Sequence, residues 1–238
     1  MLLDFIKTSD SQDFTSRAVT FLVEKINAAI AERGECIVGL SGGSTPKPIY
    51  EELGKQNLDW SKVHFFLIDE RYVDPSSPDS NQKMIRETLL NGVTLRSGRP
   101  RLEGQSNFIF PNTTLPLDEC IHKYAFDLHT LWDEYLTDVT VLGMGDDGHI
   151  ASLFPPLAEN LMDDSALVHH TITDKFAIHD RITLSLNAVA STNSSLMLLK
   201  GDAKRKVWDE MMASSEGEAR WPVKRVMEVG EVTVMWTV

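Results

Sequence analysis

His149 is the residue of this chain best suited to moving a proton near neutral pH. It lies in the stretch Gly-Met-Gly-Asp-Asp-Gly-His-Ile-Ala-Ser-Leu-Phe-Pro at 143–155, directly after the apolar run Val139-Thr140-Val141-Leu142. Glycines at 143, 145 and 148 let the backbone turn sharply or approach a ligand closely. A carboxylate beside the imidazole, Asp147 or another acid, would fix its tautomer and raise its basicity. Two more stretches follow apolar runs in the same way. Ser41, Gly42, Gly43, Ser44 and Thr45 offer small residues, hydroxyls and backbone N–H groups at a helix start, a setting that suits phosphate. Asp69-Glu70-Arg71 places charge at once after 63–68. There the planar, always-charged fork of Arg71 can clamp a phosphate or a developing oxyanion, and Asp69 can orient that fork or another polar group.

Each stretch alone has a plainer explanation. A Gly-Gly-Ser-Thr turn is often no more than a helix cap, and Asp-Glu-Arg an exposed ion pair. A lone histidine is usually structural or exposed, and His64, His122, His129, His169, His170 and His179 are read that way. Three such stretches at strand ends, far apart in sequence, are harder to assign to chance. Other chemistries find no foothold. The 41–46 turn lacks the Walker A lysine and the dinucleotide fingerprint. Adjacent His169 and His170 would point to opposite faces of an extended chain, and no His-x-x-x-His pair exists. No Gly-x-Ser-x-Gly elbow supports a serine nucleophile.

Strands that could present these stretches are read at 36–40, 63–68, 139–142, 182–186, 196–199 and 232–236. Helices are read at 12–33, after Pro46 to Gly54, from Asn81 through Leu90, at 202–213, and along Ile121, Tyr124, Ala125, Leu128, Leu131, Trp132 and Tyr135. Residues 96–116 read as irregular. Strands apolar on both faces, alternating with helices, predict an α/β fold with a mainly parallel sheet covered by helices. In such a sheet ligands bind at the carboxyl ends of the strands. With no repeat, low-complexity tract or linker, one domain over 1–238 is expected.

The formal charge is −12, from 23 Lys and Arg against 35 Asp and Glu. A nucleic-acid partner would need a local basic surface against that background, and no basic cluster with interleaved aromatics appears. A small anion can still be held by a few placed cations. Cys36 and Cys120 read as buried thiols rather than a disulfide framework. With no signal-peptide pattern and no apolar run long enough to span a bilayer, a cytoplasmic location and no membrane partner are expected.

Taken together, the motifs resemble the 6-phosphogluconolactonase family. The matching pieces are Leu-Ser-Gly-Gly-Ser-Thr-Pro at 40–46, Asp-Glu-Arg-Tyr-Val at 69–73 with Ser80-Asn81, and the 143–155 stretch. Arg-Ile-Thr-Leu-Ser-Leu from Arg181 and Gly-Asp-Ala-Lys at 201–204 match later blocks. The resemblance implies a three-layer α/β/α sandwich with a Rossmann-like sheet, similar to glucosamine-6-phosphate deaminase, and no metal or organic cofactor. It implies hydrolysis of 6-phospho-D-glucono-1,5-lactone to 6-phospho-D-gluconate in the oxidative pentose phosphate pathway. His149 would be the general base, with Arg71 near the reacting end or the phosphate and Asp69 in support. Residues 41–45 would surround the phosphate, with Arg181 and Lys204 as counter-charge. A monomer or weak homo-oligomer acting on a small anionic phosphosugar lactone is expected.

The deaminase is the nearest alternative. Its pattern resembles Gly-His-Ile-Ala-Phe-Asn-Glu-Pro, with an acid five residues after the histidine, where this chain has Phe154. Its Asp-Glu-Tyr is Asp69-Glu70-Arg71 here. Both changes favour the lactonase, although Ile150 stands where lactonases more often have Thr. A sugar-phosphate-sensing regulator domain is the other alternative. It would carry a helix-turn-helix, for which the residues before the first helix leave little room, and it would have no need of His149.

Overall fold

The computed structural model describes residues 2–91, 107–133, 136–163 and 165–238. In chain order the elements are β1 (Leu2–Lys7), α1 (Ser11–Arg33), β2 (Cys36–Leu40), α2 (Lys47–Leu53), β3 (Val63–Leu67), β4 (Asp69–Arg71), α3 (Asn81–Glu87) and β5 (Phe108–Ile109). After these come α4 (Leu117–Leu131), β6 (Thr137–Gly143), β7 (Val168–Ile172), β8 (Asp180–Leu184), α5 (Leu186–Ala190), β9 (Thr192–Lys200), α6 (Asp202–Ala213), α7 (Val223–Val229) and β10 (Glu231–Thr237). Helices α1 and α3 start on ordinary side-chain caps: Asp10 accepts from the N–H groups of Gln12 and Asp13, and Ser80 from that of Lys83.

Seven strands form a parallel sheet in the order β1-β10-β9-β6-β2-β3-β5. The order reverses between β2 and β6: the chain runs from β2 outward to β3 and β5, and from β6 the other way to β9 and β10. Strands that diverge leave a crevice at their carboxyl ends, the usual ligand position of such sheets. At the opposite ends the two strands are tied together. Asp138 pairs with Arg33 and accepts the N–H of Ile37 at 2.8 Å. Apolar residues cover both faces. Phe14, Ala18, Leu22, Ile49 and Ile85 from α1, α2 and α3 pack on one. On the other lie Tyr124, Leu128, Trp208 and Val226 from α4, α6 and α7. Burying one such side chain is worth about 1.5–3 kcal/mol, so both layers hold the sheet firmly. The α/β/α layering is as the sequence predicts, and so are buried Cys36 and Cys120.

A second sheet corrects the reading of two segments. β4, β8 and β7 pair antiparallel in the order β4-β8-β7. Residues 69–71 are therefore a strand, and the strand read at 182–186 runs from Asp180 to Leu184 outside the parallel sheet, Leu186 opening α5 instead. Short α5, α7, β1, β5 and β7 carry too little periodicity to read alone; β7, Val-His-His-Thr-Ile, is mostly polar. Helix α3 ends at Glu87 and continues only as turns to Asn91. Tyr135 and most of the irregular 96–116 stretch lie outside the described residues.

Candidate active site

Every residue singled out from the sequence lines one cavity of about 670 Å³ at the switch between β2 and β6. These are His149, Asp147, Arg71 and Asp69, the 41–45 turn, Arg181 and Lys204. The turn follows β2 directly. Tyr50, buried in α2, donates its hydroxyl to the carbonyl of Ser41 at 2.9 Å and so fixes where the turn begins. Gly42 is required by a close approach: a Cβ there would fall 1.8 Å from Oδ1 of Asn81. Asn81 lies across the turn and donates to the carbonyl of Asp69 at 2.9 Å. The Ser41 hydroxyl is buried and has no partner among the described residues. A buried hydroxyl left unpaired carries a free-energy cost that a ligand can relieve.

Period-two alternation in β4 sends Asp69 and Arg71 to one face and Glu70 to the other. Glu70 is buried and caps α3. Its carboxylate accepts the N–H groups of Arg71, Asn81 and Gln82 at 2.7 Å each, and the Ser80 hydroxyl at 3.2 Å. Burial pushes this carboxyl up to about 7, against the pull of those N–H donors. Asp69 does not orient Arg71; it accepts the Ser152 hydroxyl at 2.6 Å, tying β4 to the 143–155 loop. Arg71 donates instead to the carbonyl of Asp79 at 2.6 Å, and its buried Nε has no partner among the described residues.

Arg71 lies directly opposite Arg181 in the β4–β8 ladder. Like charges in that position repel. Burial, and after it the charge of Arg71, lower the pKa of Arg181. The Nε of Arg181 donates to the Ile178 carbonyl at 3.0 Å, which satisfies a donor without neutralising the charge. Two guanidiniums held together at the cavity wall can receive negative charge. Lys204, at the start of α6, also lines the cavity and pairs with Asp146 at 2.8 Å.

The 143–155 loop carries the imidazole. The N–H of Gly145 donates to the His149 carbonyl at 2.8 Å, and that of Gly148 to the Gly145 carbonyl at 3.1 Å, which folds the loop back on itself. A Cβ on Gly145 would lie 2.0 Å from Nδ1 of His149, so any other residue would displace the ring. Nδ1 is 2.5 Å from Oδ1 of Asp147, which also accepts the His149 backbone N–H at 3.1 Å. With Asp147 ionised, the proton is assigned to Nδ1, and Nε2 is left as an acceptor with no protein partner among the described residues. Burial raises the Asp147 carboxyl, but hydrogen bonds from His149 and Lys175 outweigh it and hold the group well below the usual range. The rings of Phe154 and Phe176 flank the imidazole at 4.9 and 5.7 Å between centroids.

Sequence reasoning missed Asn81 as a cavity residue, and with it Ser152, Lys175, Phe176 and Lys200. Asn81 and Ser152 belong to the motifs quoted above, so their position in those blocks was the available signal. Lys175 and Phe176 lie in an irregular stretch that carries none. Only the β7–β8 pairing brings them over His149. His169 and His170 bond the Ala166 carbonyl and Asp180 and do not line the cavity. Among the described residues no group of three His, Cys, Asp or Glu side chains is placed to hold a metal ion.

A parallel sheet whose strand order reverses at a cleft, with an Asp–His pair and two arginines lining that cleft, has the plan of an α/β enzyme that takes a small anionic ligand. The sequence matches, over residues 9–236, the family described as glucosamine-6-phosphate isomerases/6-phosphogluconolactonase. The chain belongs to that family. It is 42% identical over 238 residues to a probable 6-phosphogluconolactonase of Dictyostelium discoideum, covering 99% of this chain and 98% of that one. It is 33% identical to the 6-phosphogluconolactonase of Synechocystis sp., covering 94% and 90%. The crystal structure of 6-phosphogluconolactonase from Thermotoga maritima superposes with a TM-score of 0.82 at 29% identity, covering 99% of each chain. One from Shewanella baltica gives 0.83 at 27%, covering 100% of this chain and 98% of that one.

Proposed function

We propose that this chain is a 6-phosphogluconolactonase, hydrolysing 6-phospho-D-glucono-1,5-lactone to 6-phospho-D-gluconate in the pentose phosphate pathway. The observation that carries the reading is the pairing of His149 with Asp147 at 2.5 Å in the same cavity as Arg71 and Arg181, neither of which has a carboxylate in ion-pair contact among the described residues. The phosphate takes its counter-charge from Arg181 and Lys204 and hydrogen bonds from the 41–45 turn. That places the lactone ring between this anion site and the imidazole.

Nε2 of His149 accepts a proton from water as the water oxygen bonds to the lactone carbonyl carbon. Asp147 stabilises the imidazolium that forms and keeps the ring in register. Negative charge develops on the carbonyl oxygen, where Arg71 stabilises it. Collapse of the tetrahedral intermediate breaks the bond to the ring oxygen, which takes the proton from His149. One water is consumed and neutral imidazole is regenerated, and the carboxylic acid then ionises into solvent. No step needs a metal or organic cofactor. In this reading the whole chain works as one cytoplasmic catalytic domain, a monomer or weak homo-oligomer.

Amino-sugar deamination is disfavoured by Phe154. Its ring packs on His149 where the deaminase pattern has an acid, and an apolar side chain there cannot shuttle a second proton. The test is a coupled assay of freshly prepared lactone, corrected for spontaneous hydrolysis, beside glucosamine 6-phosphate. The expected outcome is turnover of the lactone and none of the amino sugar; the reverse would overturn the assignment.

A further inference from the structure

Lys175 takes no part in the steps above, yet its ammonium binds Oδ2 of Asp147, the oxygen that His149 does not use. It comes from a different sheet and a distant stretch of chain. The hairpin tip between β7 and β8 carries it, closed by the N–H of Thr173 to the His179 carbonyl at 3.1 Å. The N–H of Lys175 donates to the Thr173 hydroxyl at 3.2 Å. The neighbouring Phe176 stands edge-on to the imidazole and carries the Arg181 guanidinium 5.5 Å from its ring centre. The tip is thus docked on the Asp147–His149 pair at two points.

Charged groups approach His149 from several elements. Asp146 and Asp147 share its loop, Lys175 comes from the hairpin, Arg181 from β8, and Asp69 and Arg71 from β4. Lys204 comes from α6, and Arg220 from the segment before α7. Most are engaged elsewhere. Asp146 is paired with Lys204, Asp69 with the Ser152 hydroxyl, and Arg220 with the Asp147 carbonyl at 2.9 Å. Asp147 is the group in direct contact with the ring nitrogen, and Lys175 is the cation on its far oxygen.

An aspartate alone beside an imidazole favours the imidazolium, which holds a general base in its inactive form. A cation on the second oxygen opposes that by ordinary Coulomb repulsion and also stops the carboxylate from rotating. We propose that Lys175 is a positioning residue for His149: it pins Asp147 so that the Nδ1–H stays aligned, and its charge keeps Nε2 ready to accept a proton. This rests on His149 being the base, as proposed above.

The test follows the His149 ring by NMR titration, its signal assigned by loss in His149→Ala, beside the pH profile of kcat/KM. Lys175→Met should move both the titration midpoint and the acid limb upward by about 0.5–1 pH unit, the size expected of a partly screened charge a few ångströms away. Asp147→Asn should move both downward, and Lys175→Arg should restore the wild-type position. An unmoved titration in Lys175→Met would overturn the proposal. So would a raised KM with kcat and limb unchanged, which would make Lys175 a substrate contact. Should Lys175→Met fail to fold, Lys175→Gln should give the same upward shift, and its absence there would overturn the proposal equally. The titration needs no turnover, so a wild-type protein inactive on the lactone would sink the functional reading while the titration still judged Lys175.

Discussion

The seven-stranded parallel sheet and the three-stranded antiparallel sheet contribute unlike things to one cavity. The parallel sheet is apolar on both faces and wedged between helices, and it delivers its chemistry on turns. The 41–45 turn leaves β2, and the His149 loop leaves β6. The small sheet delivers side chains from the strands themselves, Asp69 and Arg71 from β4 and Arg181 from β8, with Lys175 and Phe176 at its hairpin tip. Turns at a switch point shape the space and hold a base by backbone geometry. A cross-strand ladder can force two like charges together, which a turn open to solvent would let separate. The parallel sheet therefore brings the Asp147–His149 pair and the 41–45 turn to the cavity, and the small sheet brings two facing guanidiniums, the two joined by the bond from Ser152 to Asp69.

The largest effect is expected where the parallel sheet supplies the base. His149→Ala should lower kcat by about 10²–10⁴-fold with the circular dichroism spectrum unchanged. A rate equal to wild type, measured against spontaneous hydrolysis, would remove His149 from the chemistry. On the other sheet, Arg181→Met should raise KM by about 10–100-fold, the loss of one charged hydrogen-bonded contact, with a smaller change in kcat. Because Arg181 faces Arg71, the same variant should not lower the melting temperature of the ligand-free protein, while its stabilisation by a fixed concentration of inorganic phosphate should shrink. A fall in kcat alone would move Arg181 from the phosphate to the reacting end.

The smallest effect concerns Glu70, which anchors the small sheet to α3. Burial raises its carboxyl in the folded state to about 7, above the value of about 4.3 expected of an unfolded glutamate. The folded chain then binds this proton more readily than the unfolded one. Its contribution to stability is full below the unfolded pKa and is lost as pH rises through about 7. Urea midpoints should therefore decline between about pH 5 and 7.5 on account of Glu70, and Glu70→Gln should flatten that slope. An unchanged slope would assign it to other groups.

The two sheets also differ in how far they can be read from sequence. β2, β3, β6, β9 and β10 each carry an apolar run and are buried along most of their length, so local pattern and tertiary environment agree. β4 is three charged residues long. Asp69-Glu70-Arg71 reads as a loop because nothing local shows that β8 will pair with it. The roles divide along the same line. The 41–45 turn and His149 declare themselves by glycine spacing. The Asp69 contact to Ser152, the hold of Asp79 on Arg71 and the reach of Lys175 to Asp147 are long-range pairings that no spacing encodes. Spacing alone also leaves the orienting acid open, and the 2.5 Å contact places Asp147 there.

If the two sheets divide the work in this way, both must act on one bound molecule at once, and a crystal structure of the protein with 6-phosphogluconate would show it. The phosphate should lie among residues 41–45, Arg181 and Lys204, with a carboxylate oxygen, the one that water supplies, within about 3 Å of Nε2 of His149, the reach of a general base. A phosphate seated against His149, or a carboxylate out of reach of that nitrogen, would refute the division.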